Sequence, residues 1–362
     1  MKKHIFNAGP SVLPKEVILE ASEAIKEYNR SGLSILEISH RSKDFIEIIE
    51  EAKSSVLELL NLPSDYKVLF LHGGASLQFS MVPMNLMKPA VGSAAYVDTG
   101  SWSAKAIKDA KLFGEVSVIA SSKEEGYGFI PKLESIEDSF DYVHLTANNT
   151  IYGTQFKSFP KTNSPLVCDM SSDIFSRNLD FSQFDLIYAG VQKNSGAAGT
   201  TIVVVKDQLL ENLEKDQKIP SMLSYKAHLE KDSLLNTPAV YAVYISLLTL
   251  RWIKKNGGIQ GMEQRNNEKS SLLYKEIDRN PMIKGFVSPE SRSSMNATFE
   301  IIGEENKNLF EKLCEDAGIV GIKGHRSIGG YRASMYNALA LESVVSLVEV
   351  MQNIEKKSYH LV

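Results

Sequence analysis

Apolar residues recur at helical spacing over the first sixty positions. Val17, Ala21, Ala24, Ile25 and Tyr28 fall on one face of a helix predicted over 15–29, with Pro14 suited to its first turn. Phe45, Ile49, Ala52, Val56 and Leu59 mark a second helix over 43–60, with Ser42 as its N-cap. The rhythm then changes. Short apolar runs at 68–71, 94–97, 116–119, 142–145, 166–168, 186–189 and 202–205 alternate with helix-like segments. Continuous apolar strands between helices predict a mostly parallel sheet, of seven strands by these runs, covered on both faces: an α/β domain. The run at 202–205 follows 186–189 after a loop too short for a crossover helix, which predicts an antiparallel pair.

Asn256-Gly257-Gly258 interrupts the pattern after Lys255. Beyond it, 296–301 alternates with period two and predicts a strand with one wet face. Leu309, Leu313 and Ala317 suggest a helix, and Val344, Val348 and Met351 a last one. The expected division is an N-terminal arm over 1–15, a large domain over 16–255 and a smaller α+β domain over 256–362.

Composition narrows the class. The 362 residues are 43% hydrophobic and 23% charged, ordinary for a water-soluble globular protein with a sizeable core. A net charge of -4, without a run of like charges, argues against nucleic-acid or anionic-membrane partners. The longest apolar stretch, 239–250, is too short to span a bilayer. The first residues lack a long apolar core, so the expected location is the cytoplasm. Cys168 and Cys314 form no C-x-x-C pair; neither zinc nor a disulfide is expected.

Three places carry chemistry. His72-Gly73-Gly74-Ala75-Ser76 lies between a strand and a helical pattern, where backbone N–H groups and the helix N-terminus make an anion cup. It is not G-x-G-x-x-G, so a dinucleotide fingerprint fails. Asp169 ends an apolar run, at the strand end that faces a ligand crevice in such sheets. Lys193 stands among small residues in Gln192-Lys193-Asn194-Ser195-Gly196, 24 positions later. Singly, these have plainer readings: a tight turn, a helix cap and an exposed loop lysine. Together they supply what a pyridoxal-phosphate site needs: a phosphate cup, a carboxylate for the ring nitrogen and an amine for the aldehyde. Trp102, after another strand, is suited to stacking on the ring or to the core. His40-Arg41 and His325-Arg326, with Arg332, are suited to an oxyanion, or to a solvated loop.

The chain resembles the phosphoserine aminotransferase family of the fold-type-I aminotransferase superfamily nearly end to end. The resemblance rests on 6–10, 39–42, 73–79, 148–154, 169–173, 189–194, 236–238 and 324–338. It implies that Lys193 carries pyridoxal 5'-phosphate as a Schiff base, Asp169 meets the ring nitrogen, Trp102 stacks and Thr150 bonds the ring hydroxyl. Ala75, Ser76 and Gln192 would hold the cofactor phosphate. Asn236 and Thr237 of a neighbouring subunit would complete that phosphate site, making a homodimer. His40 and Arg41, also from the neighbour, would join His325 and Arg326 on the substrate phosphate, and Arg332 would take the α-carboxylate. The implied reaction passes glutamate's amino group to 3-phosphohydroxypyruvate in serine synthesis, with a second use in pyridoxine synthesis. Ser195, Ala197 and Ala239 depart from the family's usual residues, an expected source of a looser loop beyond Lys193. The alternative enzyme is a fold-type-I aminotransferase for unphosphorylated serine, alanine or glyoxylate. A non-catalytic phosphate-binding protein that kept only the fold is the reading from another class.

Overall fold

The computed structural model describes residues 2–211 and 218–359. The first helix, α1 (Lys15–Lys26), buries Val17, Ala21 and Ala24. It ends before the predicted 29, because Glu27 is extended and Asn29 and Arg30 have positive φ. Ile25 is therefore exposed, while Tyr28 lies beyond the helix and packs edge-on against Tyr244. Helix α2 (Lys43–Leu60) has the predicted bounds; the Ser42 hydroxyl accepts the Phe45 N–H at 3.4 Å.

All seven apolar runs are strands of one sheet: β1 (Tyr66–Leu71), β2 (Ser93–Asp98), β3 (Glu115–Ser121), β4 (Tyr142–Thr146), β5 (Leu166–Asp169), β6 (Leu186–Gly190) and β7 (Thr201–Lys206). Their order is β1-β7-β6-β5-β4-β2-β3. Only β7 runs against its neighbours, β6 and β1, as its short connection to β6 requires. Alternate residues explain why most of the runs are apolar on both faces. Phe70, Leu145 and Ile187 face a layer containing α1, α2 and α5 (Val240–Lys255). Leu69, Tyr142 and Tyr188 face α3 (Gly74–Leu86) and α4 (Ser101–Ala110). Each such side chain removed from water contributes about 1.5–3 kcal/mol. The sheet's common direction puts the carboxyl ends of β1, β2, β4, β5 and β6 on one edge.

Helix α6 (Gly258–Arg279) spans two cores. Its Ile259 and Met262 pack under the large sheet, and its Leu273 and Ile277 under a second sheet. That sheet is antiparallel, in the order β8 (Ile283–Gly285), β9 (Asn296–Ile301), β10 (Tyr331–Ser334), with α7 (Glu304–Asp316) and α8 (Leu341–Tyr359) packed on it. Residues 4–5 pair in parallel with 319–320, and Phe6 is fully buried in this second core. The expected wet face of β9 is corrected: Asn296 and Thr298 are buried. Asn296 Oδ1 accepts from Asn148 at 2.8 Å, and Thr298 donates to the Tyr152 carbonyl at 2.7 Å. Polar alternation here marks contact with the large sheet's loops. No described helix is long and apolar enough to cross a membrane.

Candidate active site

The turn after β1 needs its glycines. Gly73 has φ +89°, and a Cβ there would lie 2.5 Å from Leu77 Cβ; Gly74 has φ +65°. Helix α3 begins without a side-chain cap, so its first N–H groups, at Gly74, Ala75 and Ser76, lack intrahelical acceptors. This is the anion cup expected from the sequence. Trp102, in the first turn of α4, is half-buried and sits 6.5 Å from the Phe79 ring. Its Nε1 is buried without a partner.

Asp169 is the last residue of β5, between Thr146 and Tyr188 of the flanking strands. It is buried, and its Oδ1 accepts the Ser171 N–H at 2.9 Å. Burial raises its pKa above the usual carboxylate range, opposed by Ser171 and the Lys193 charge. Lys193 follows β6. Its Nζ donates to Thr150 Oγ1 at 2.8 Å, across to the turn between 148–149 and 154–155. Burial brings the amine down to about 8; Asp169 pulls it up and Arg332 pushes it further down. These two charges thus act on one amine. A lysine near 8 is unprotonated often enough to attack a carbonyl near neutrality.

The N-terminal arm lies against this lysine. Gly9 has φ +138°, and a Cβ there would sit 3.4 Å from Lys193 Cγ and 3.5 Å from Gln192 Cγ. The Ser11 N–H donates to the Gln192 carbonyl at 3.0 Å. Sequence reasoning missed Ser11, because an irregular segment has no periodicity; its one signal was the neighbouring string at 6–10.

Arg332, on β10, is buried and its Nε has no partner. Burial lowers its pKa, a cost that an anion would offset. His325 Nδ1 accepts the Ser327 N–H at 3.2 Å, which leaves Nε2 to carry the proton of the neutral ring. Its pKa is lowered by burial, then by Arg332, Arg326 and Lys105. Lys105 was also missed in the sequence. It sits one turn after Trp102, where a lysine reads as a solvated helix face, yet its Nζ lies 4.3 Å over the indole ring. Of these groups Arg332 alone lines a cavity of about 920 Å³, whose other walls are Asn7, Gly9, one face of α7 and residues 319–323.

His40, Arg41, Asn236 and Thr237 are placed differently. His40 and Thr237 line a separate groove of about 570 Å³ with residues 197–199. Arg41 is exposed. Asn236 Nδ2 donates to the Thr237 carbonyl at 3.2 Å, and His72 Nε2 lies 3.1 Å from the same oxygen, at the start of the glycine turn. The loop beyond Lys193 is packed at its base, where the sequence suggested loosening. Ser195 is fully buried, and a Cβ at Gly196 would meet Ser246 Oγ at 2.7 Å.

Comparison with known proteins matches residues 4–347 to Aminotransferase class-V. A phosphoserine aminotransferase of Flavobacterium psychrophilum is 59% identical over 99% of this chain and 100% of its own length. The structure of phosphoserine aminotransferase from Bacillus circulans subsp. alkalophilus superimposes with a TM-score of 0.93 at 45% identity, covering 98% of both chains. The PLP-bound phosphoserine aminotransferase of Trichomonas vaginalis gives 0.87 at 31% identity, over 97% of this chain and 100% of that one. The fold-type-I arrangement expected from the sequence is the observed one. By sequence and by fold, this chain belongs to the Aminotransferase class-V family, among its phosphoserine aminotransferases.

Proposed function

We propose that this enzyme transfers the amino group of L-glutamate to 3-phosphohydroxypyruvate, giving O-phospho-L-serine and 2-oxoglutarate, with pyridoxal 5'-phosphate as cofactor. The observation that carries the reading is the Lys193 amine. It is brought near 8 by burial, held by Thr150 at 2.8 Å and acted on by Asp169 and Arg332. The donor set fits the cofactor: an uncapped glycine turn for its phosphate, a buried carboxylate for its ring nitrogen and a half-buried indole for its face. When bound, the cofactor supplies an aldehyde for the lysine and a ring that draws electrons from the substrate's Cα.

The chain's own residues do the rest. Ala75, Ser76 and Gln192 hold the cofactor phosphate, Trp102 stacks, Thr150 bonds the ring hydroxyl and Asp169 keeps the ring nitrogen protonated. Lys193 Nζ takes the proton from the substrate's Cα and returns it on the far side of the transfer. Arg332 binds the α-carboxylate; its unpartnered Nε supports this. His325 and Arg326, with Lys105 beside them, meet the substrate phosphate; their mutual repulsion is relieved by a dianion.

His40, Arg41, Asn236 and Thr237 complete the site of a second copy, so the working unit is a homodimer. The place of His40 and Thr237 in a separate groove supports this. The division into arm 1–15, large domain 16–255 and small domain 256–362 belongs to the same reading, supported by the two cores. So do a cytoplasmic location, a role in serine synthesis and a second use in pyridoxine synthesis. The test is the ratio of kcat/KM for 3-phosphohydroxypyruvate and hydroxypyruvate. Cations matched to a phosphate are left without their counter-charge by the bare analogue, so a strong preference for the phosphorylated keto acid is expected. Comparable turnover would return the alternative, an aminotransferase for unphosphorylated substrates.

A further inference from the structure

We propose that Asn337 is a positioning residue of this site: its side chain and its backbone N–H hold the loop of Asp169 and the turn of Lys193 at a fixed separation. The inference rests on Asp169 and Lys193 taking opposite ends of the cofactor ring.

That ring is rigid, and its nitrogen stands opposite the carbon that bears the aldehyde. The two groups that take it must keep their spacing, since a misplacement of about 1 Å can cost about a hundredfold in rate. The large sheet does not set that spacing alone. Asp169 is the last residue of β5, and Lys193 lies beyond the end of β6. Past the strand ends, the hydrogen-bond ladder no longer holds the chain.

Asn337 follows β10 and is buried. Its Nδ2 donates to the Phe175 carbonyl at 2.9 Å, on the stretch that follows Asp169. Its Oδ1 accepts from Nδ2 of Asn266, on α6, at 2.8 Å; the same Nδ2 donates to the Ser176 carbonyl at 2.9 Å. Two buried amides thus grip two successive carbonyls, and the carbonyls fix which way both amides face. They grip a strained place. Phe175 is fully buried with a φ of +60°, which a bulky side chain adopts only where its surroundings impose it.

The other side of Asn337 reaches the lysine turn. Its backbone N–H donates at 3.1 Å to Oδ1 of Asn194, the residue after Lys193. Asn194 Nδ2 closes the circuit on the Ser172 carbonyl at 3.4 Å. One residue beside the small sheet therefore holds both segments, and the two segments hold each other.

A role confined to packing leaves the cofactor's affinity unchanged, and affinity is what the experiment reads. The cofactor-free full chain is titrated with pyridoxal phosphate, and kcat and KM for glutamate are measured in the loaded enzyme. Asn337→Ala and Asn194→Ala are each expected to raise the cofactor's Kd about five- to tenfold, the size of one hydrogen bond. A kcat lower by a similar factor goes with it, and KM stays within about twofold. The double variant is expected to match the worse single within about twofold, because both substitutions open one circuit. Leu347→Ala, in the second core, is expected to lower the melting temperature and leave the Kd within about twofold. A parental Kd in Asn337→Ala, with only a lower melting temperature, overturns the proposal. So do effects that multiply in the double variant, or a Kd in Leu347→Ala raised as much as in Asn337→Ala. Should Asn337→Ala not fold, Asn266→Ala decides: it frees the Asn337 amide and must raise the Kd about threefold or more, and a parental value is fatal. If the unaltered chain binds no pyridoxal phosphate, the reading beneath fails first and the proposal falls with it.

Discussion

The hydroxyl of Ser11 donates to the backbone carbonyl of Lys193 at 2.6 Å, joining the N-terminal arm to the turn that carries the reacting amine. Gly9 lies against the same side chain at a φ of +138°. A branched residue there is strained and pushes on the lysine stem. Gly9→Val is expected to lower kcat by about tenfold or more while melting only a few degrees earlier. Ser11→Ala, which removes one hydrogen bond, is expected to cost about fivefold. Steady-state kinetics beside a thermal melt separate the two effects; equal activity in both variants would show that the arm does not position the lysine.

Lys193→Ala removes the group that moves the proton. The expected loss of transamination is on the order of a thousandfold or more, with the fold retained. Asp169→Asn keeps the shape and removes the charge. It is expected to lower kcat on the order of a hundredfold, with KM for glutamate little changed. A mainly raised KM would assign Asp169 to binding.

Much of this architecture was legible beforehand. The inner strands were visible because a sheet buried on both faces needs largely apolar runs, as at Val203, Val204 and Val205; the edge strand β3 was legible from its valines although Val118 is exposed. The reversed strand was legible from loop length alone. The strand at Asn296 was read with the wrong environment, because a polar residue turned toward the large sheet's loops looks like one turned toward water. Lys193, Asp169 and Arg332 were recognisable as residues, but their mutual influence is a property of three separate elements brought together. Lys105 carried no signal, because it looks like a solvated helix face.

The cations around His325 make a graded prediction. Arg326→Ala is expected to raise KM for the phosphorylated keto acid by about ten- to a hundredfold, the loss of a charge-assisted hydrogen bond. Lys105→Ala, which removes a point charge rather than a two-pronged guanidinium, is expected to raise it only about two- to fivefold, and less in high salt. KM for glutamate serves as the control. A change confined to glutamate would place these residues elsewhere in the reaction.

Two buried lysines shape the pH dependence of stability. Burial brings Lys269 down to about 7 and Lys193 to about 8, both from 10.5 in the open chain. Between those values the unfolded chain binds more protons than the folded one, so stability rises with pH. Above 10 the trend reverses, because burial holds Tyr96 and Tyr188 protonated in the fold while the open chain ionises. The urea midpoint of the cofactor-free protein is expected to increase from pH 7 to pH 9, and Lys269→Met is expected to flatten that rise. A midpoint that falls over the same range would contradict these assignments.

The most direct test of the central claim is the visible absorption spectrum of the purified, cofactor-loaded protein during additions of O-phosphoserine and of serine. The account predicts a yellow band that Lys193→Ala does not show, bleached by O-phosphoserine and barely changed by serine at the same concentration. A band that responds equally to both amino acids would contradict the phosphate-reading site. A protein that stays colourless with added pyridoxal phosphate would contradict the chemistry assigned to Lys193.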